Sequence, residues 1–164
     1  MTKIIYNVLF LCTHNSARSI LAEAILNHLA RGRFKGFSAG SSPSGRVNPL
    51  ALETLQKAGL ETHGLRSKRW DEFAAPLAPK MDIVITVCDD AAGEVCPIWP
   101  GQPIRVHWGL DDPSVISRDD KGRRAAFSKT YQEISRRLQE LLSLPFEGLD
   151  RNALQEKLNE LGSK

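Results

Sequence analysis

The stretch Val8-Leu9-Phe10-Leu11-Cys12-Thr13-His14-Asn15-Ser16-Ala17-Arg18-Ser19 decides the fold. Its first four residues are apolar without a break, the pattern of a strand buried on both faces. Polar residues follow at once, and apolar positions then recur at helical spacing in Leu21, Ile25 and Leu29. The unit is therefore strand, loop and helix, with Cys12 to Arg18 lying between a strand's carboxyl end and a helix's amino end. Unpaired amide N–H groups point out of such a helix end and attract anions.

The same alternation continues outward from this unit. Phe34 to Ala39 is predicted as a second strand. Asn48-Pro49, with Leu52, Leu55 and a closing Gly59, carries the cap, first-turn proline and terminal glycine of a helix. Ser67 is expected to cap a short turn through Trp70 and Phe73. Ile83-Val84-Ile85-Thr86-Val87 is a β-branched run suited to a central parallel strand, and Ile104 to Trp108 supplies the fourth. Phe127, Tyr131, Ile134, Leu138 and Leu141 mark a long amphipathic helix, which Pro145 follows. An Asp150 cap with Leu154, Leu158 and Leu161 predicts a last short helix, frayed from Gly162 to Lys164. Strands alternating with helices imply an α/β fold, an open four-stranded parallel sheet flanked by helices. Its ligand sites lie beyond the carboxyl ends of the strands. The expected division is a catalytic domain over residues 1–145 and a C-terminal helical extension over 146–164.

A chain of 164 residues buries a sizeable core without disulfides or structural metal. Its net charge of +3, spread with mixed signs, builds no nucleic-acid footprint. The early apolar run from Ile4 to Cys12 is interrupted by Tyr6 and Asn7, is too short to span a membrane and lacks the flanks of a signal peptide. A cytoplasmic, monomeric protein is expected. Three cysteines cannot close a disulfide framework, and thiols in such a setting are more often catalytic or metal-binding than structural.

Cys12 stands where an anion site is expected. The loop amides from Thr13, His14, Asn15, Ser16 and Ala17, together with the Arg18 guanidinium, should lower the Cys12 pKa and cradle a tetrahedral oxyanion. The competing reading makes Cys12 a buried hydrophobe and Ser16 an ordinary helix cap. An oxygen leaving a tetrahedral centre also needs a proton, and Asp111-Asp112-Pro113 follows the fourth strand on the same rim. Asp-Pro is equally a turn signal. Cys88 ends the third strand, so a parallel sheet brings it to the edge that carries Cys12, and Cys96 follows on a segment short enough to fold back. Three thiols so placed can pass a disulfide outward, whereas two incidental buried cysteines are the plain alternative. A zinc site from Cys88, Cys96 and His107 lacks both the usual ligand spacing and a fourth ligand, so no metal is predicted.

These motifs resemble the low-molecular-weight protein tyrosine phosphatase superfamily, and within it the thioredoxin-coupled arsenate reductases. The likeness also rests on Phe37-Ser38-Ala39-Gly40, Val47-Asn48-Pro49, Asp82-Ile83-Val84-Ile85-Thr86-Val87-Cys88 and His107-Trp108-Gly109-Leu110-Asp111-Asp112-Pro113, all in the right order. The resemblance implies Cys12 as nucleophile, Arg18 as oxyanion ligand, Asp112 as general acid, and Ser19 as the hydroxyl that favours the Cys12 thiolate. It implies Cys88 and Cys96 as resolving thiols and no bound cofactor. The reductant it implies is an external dithiol, thioredoxin or a glutaredoxin and glutathione pair. Arsenate is the implied substrate, with phosphate or sulfate able to occupy the loop.

Two departures bear on the site. His14 stands where relatives often have glycine, so a positive φ there would be strained. Asn15, Glu23 and Ser38 match a potassium site of some reductases, whose acidic member is replaced near Ser67 by Lys68; its ammonium can take the cation's place. A tyrosine phosphatase is the main rival reading. It has no use for the cysteine relay, and such phosphatases tend to carry an aromatic after Asp-Pro where this chain has Ser114. A non-enzymatic oxyanion or thiol sensor would not need Asp112.

Overall fold

The computed structural model describes residues 5–30, 32–88, 99 and 102–162. Strand β1 (Tyr6–Leu11) leads through the Cys12 loop into α1 (Arg18–Leu29), then β2 (Phe34–Ala39) and α2 (Pro49–Lys57). A 3-10 turn at Trp70–Phe73 precedes β3 (Ile83–Thr86) and β4 (Ile104–His107), and α3 (Asp120–Leu142) and α4 (Arg151–Gly162) complete the described order. All pairings are parallel, in the order β2-β1-β3-β4. The α/β class and the four-stranded open parallel sheet are those expected.

Strand alternation splits the core into two layers. Val8, Phe10, Ile83, Ile85, Ile104 and Val106 face the larger one, which the helices cover. Leu9, Leu11 and Val84 face the other, with Trp70, Phe73, Met81 and Trp99. That is why the first strand reads as apolar throughout. Leu154, Leu158 and Leu161 of α4 belong to the larger core, so residues beyond 146 pack on the same sheet as the rest.

The local signals hold where a side chain meets its own neighbours. Asn48 accepts the Leu50 N–H at 2.9 Å and Asp150 accepts that of Ala153 at 2.8 Å, both as N-caps. Four expectations fail where a distant contact wins. Leu29 faces solvent, because α1 lies between sheet and α3 and buries Ile20, Leu21, Ala22, Ala24, Ile25 and Leu26 instead. Ser67 does not cap the 3-10 turn, which Arg69 precedes without a side-chain cap. Its hydroxyl donates instead to the His14 carbonyl of the loop at 3.2 Å, an oxygen that also accepts the Ser44 N–H at 3.0 Å. Val87 and Trp108 fall just outside their strands, although their N–H groups still bond Leu11 O at 2.8 Å and Thr86 O at 2.7 Å. Gly162 is not frayed; it is the last residue of α4 and packs against Trp108.

Candidate active site

Because β3 lies between β1 and β4, three carboxyl ends emerge side by side. The first delivers Cys12, the second Cys88 and the third the segment from Trp108 to Pro113. Backbone bonds carry the alignment past the strands, with the Leu110 N–H on Val87 O at 3.2 Å.

The loop is built by turning its carbonyls outward. Thr13 O, His14 O and Ser16 O accept the N–H groups of Ser42, Ser44 and Asn48 at 2.9, 3.0 and 2.9 Å. Carbonyls held on the outside leave the amides to line the inside, the arrangement of a backbone anion nest. Gly40 permits the close approach: a Cβ there would stand 2.5 Å from Thr13 O and 2.6 Å from Cys12 O. The left-handed residue is Asn15, at φ 46°, and not His14. Asparagine adopts that conformation at lower cost than most side chains. Ala17, not Ser16, precedes α1, and it makes no side-chain cap. No cap from Ala17 occupies the first-turn amides, and amides at a helix start of this kind can receive an anion.

Cys12 is 3% exposed, with its Sγ 2.9 Å from Ser19 Oγ. Asn15 sets the direction of that bond: its Nδ2 donates to Ser19 Oγ at 2.8 Å while its Oδ1 accepts the Lys68 N–H at 2.8 Å. With its acceptor side engaged, the Ser19 hydroxyl is left to donate to sulfur, and a thiolate accepts better than a thiol. Burial nevertheless pushes the Cys12 thiol above its ordinary value; the two Ser19 hydrogen bonds and, more weakly, Arg18 pull it down, and Cys88 adds to the rise. The expectation of a net lowering is thus reversed, because a thiolate this deep has lost nearly all its hydration. Ser19→Ala should raise the thiol further. The pH midpoint of Cys12 alkylation by iodoacetamide is expected to move up by about one to two units, the worth of a hydrogen bond to a charged group. An unmoved midpoint would take Ser19 out of this role.

Arg18 donates through Nη1 to Leu110 O at 2.9 Å, and its Nη2 lies 3.6 Å from Asp112 Oδ2. Asp112 Oδ1 accepts both the backbone N–H and the hydroxyl of Ser114, at 3.0 and 2.7 Å. Asp112 therefore faces the loop through its second oxygen, while Asp111 is exposed. Arg137 was not singled out from sequence. It is buried on α3, donating to Glu133 Oε1 at 3.0 Å and toward Gly109 O at 3.5 Å. The signal was present: an arginine at the stripe spacing of Ile134 and Leu141.

Cys88 is buried, and its Sγ accepts the Thr13 N–H at 3.4 Å and lies 3.7 Å from Thr13 Oγ1. A second sulfur thus touches the nucleophile's own loop. Cys96 and the segment 89–95 lie outside the described residues. Lys68 Nζ sits 3.7 Å from Glu23 Oε1, 3.4 Å from Ser38 Oγ and 2.7 Å from Arg66 O, among the residues that match the cation site. Burial raises the Glu23 pKa and lowers that of Lys68, and each charge holds the other back toward its ionised form. Among the described residues no helix is long and apolar enough to cross a membrane.

A family model described as low molecular weight phosphotyrosine protein phosphatase matches residues 7–159. The arsenate reductase of Halalkalibacterium halodurans is 36% identical over 136 residues, covering 83% of this chain and 92% of that one. A solved thioredoxin-dependent arsenate reductase of Corynebacterium glutamicum is 30% identical with a TM-score of 0.63. That match takes in 87% of this chain but spans only 62% of the other. An arsenate reductase solved in a phosphate-binding state is 28% identical, with a TM-score of 0.69 over 84% of this chain and 97% of its own. With nearly its whole length matched, the chain belongs to the low molecular weight phosphotyrosine protein phosphatase family, in the company of that family's arsenate reductases.

Proposed function

We propose that the protein reduces arsenate to arsenite through a Cys12 adduct and a disulfide relay. The observation that carries this reading is the Cys88 sulfur on the Thr13 amide, one residue from the nucleophile. Hydrolysis of a phosphoester needs one thiol; reduction needs a second to collect electrons.

In the proposed cycle the Cys12 thiolate attacks arsenic and displaces one oxygen, which Asp112 protonates so that it leaves as water. Arg18 and the amides of residues 14–18 hold the remaining oxygens, the Thr13 amide being engaged by Cys88. An incoming oxyanion competes with Asp112 for Arg18 and so opens the 3.6 Å contact between them. Cys88 then attacks Cys12 Sγ. The sulfur–arsenic electron pair passes to arsenic, arsenite leaves, and Cys12 and Cys88 are joined. Cys96 attacks Cys88, freeing Cys12, and an external dithiol reduces the Cys88–Cys96 bond. Thioredoxin is the proposed reductant, with a glutaredoxin and glutathione pair as the other source of electrons. A reducing cytoplasm suits such a cycle. Lys68, tethered beside Glu23 and Ser38, supplies the positive charge that the resemblance assigns to a cation.

NADPH consumption with arsenate, under thioredoxin or glutaredoxin coupling, tests the reading directly. Arsenate-dependent oxidation with either system supports it; none with either, alongside brisk aryl-phosphate hydrolysis, leaves a phosphatase. Asp112→Asn should slow the first chemical step about a hundredfold or more with the fold intact, and Asp111→Asn should not. The reverse pattern would move the acid to Asp111.

A further inference from the structure

Helix α4 meets the sheet where the acid-bearing segment leaves β4. Trp108, 1% exposed, donates its indole N–H to Leu158 O on α4 at 2.8 Å. Gly162 lies against the same residue: a Cβ there would stand 2.7 Å from Trp108 Cδ1 and 2.7 Å from His107 O. One helical turn before Leu158, Gln155 donates to the Arg105 carbonyl at 3.2 Å on the outer edge of β4. The next two residues of the segment are held from other helices. Arg137 of α3 reaches Gly109 O at 3.5 Å, and Arg18 of α1 bonds Leu110 O at 2.9 Å.

Residues 108, 109 and 110 are thus gripped in succession by three helices, and Asp112 follows two residues on. We infer that α4 is a positioning element for Asp112, acting through the Trp108 indole and the close seat at Gly162. A proton donor must lie within hydrogen-bond reach of the departing oxygen, and a displacement of about 1 Å can cost on the order of a hundredfold. Among the described residues the segment after β4 has no strand partner beyond Leu110 to limit such displacement, so its root sets its position. The C-terminal helix fixes that root. This rests on the assignment of Asp112 as the acid.

The test is a double-mutant cycle on folded protein. Trp108→Phe keeps the ring and removes the N–H; Gly162→Ala keeps every hydrogen-bonding group and pushes the ring. Each should lower kcat about tenfold with KM unchanged, the kinetic worth of one hydrogen bond. In an Asp112→Asn background each should cost less than about twofold, because a misplaced acid matters only where there is an acid. Equal losses in both backgrounds, or an unchanged kcat in Trp108→Phe, overturn the inference. Hydrogen exchange supplies a readout without turnover. Amides of residues 109–112 should exchange faster in both variants while those of β1 do not, and unchanged exchange overturns the inference whatever the activity. The cycle can be read on arsenate reduction or on aryl-phosphate hydrolysis, since both use the acid. A wild-type protein that only hydrolyses phosphate, with the cycle intact, therefore removes the reductase reading and upholds the role of α4.

Discussion

Cys12→Ser is expected to abolish arsenate reduction and aryl-phosphate hydrolysis together, with a loss of about 10⁴-fold or more in each. The site is built to make a sulfur anion tolerable. Burial at 3% exposure already raises the thiol, and the Ser19 bonds and, more weakly, Arg18 pull toward the thiolate. A hydroxyl starts from a far higher pKa, and no contact of this size brings it into reach. The fold should survive. Serine occupies nearly the same volume, and its oxygen can exchange a hydrogen bond with Ser19 as the sulfur does at 2.9 Å. Steady-state rates and a thermal melt on the same preparation check both halves. More than trace activity in a fully folded Cys12→Ser protein would remove Cys12 from the nucleophile's place.

The second large effect separates two chemistries that share this nucleophile. Cys88→Ser should halt arsenite formation with a protein dithiol while leaving aryl-phosphate hydrolysis within about threefold of normal, since only the former needs a second sulfur. Its hydroxyl can still accept the Thr13 N–H that Cys88 holds at 3.4 Å, so the loop should keep its shape. Cys96→Ser should stop one step later. After arsenate treatment its peptide map should show Cys12 joined to Cys88, whereas the unmutated protein, deprived of reductant, should accumulate Cys88 joined to Cys96. Normal arsenate reduction by both serine variants would remove the relay and return the site to phosphatase chemistry.

Much of this molecule is legible along the chain, because some determinants act over a few residues. The strand, loop and helix around Cys12, the caps at Asn48 and Asp150, and the apolar stripe of α3 are all of this kind. Short-range sterics and periodic burial write them directly into neighbouring positions. Spacing alone suggested that Arg18 closes the loop opened by Cys12 and that Cys88 ends a strand; Arg18 opens α1, and Cys88 lies two residues beyond the end of β3 at Thr86.

Tertiary structure decided the rest. The order β2-β1-β3-β4 seats Cys88 beside Cys12, and it depends on pairings between strands some 75 residues apart, as in Thr13 and Cys88. Asn15 rather than His14 takes the positive φ because its amide must span Lys68 N and Ser19 Oγ. The upward shift of the Cys12 thiol comes from burial by many segments at once, a quantity no local motif encodes. Ser67 turns to the loop, Arg137 enters the core and Gly162 yields to Trp108 for the same reason. Each answers to an atom far away in sequence and close in space, where close packing leaves one solution.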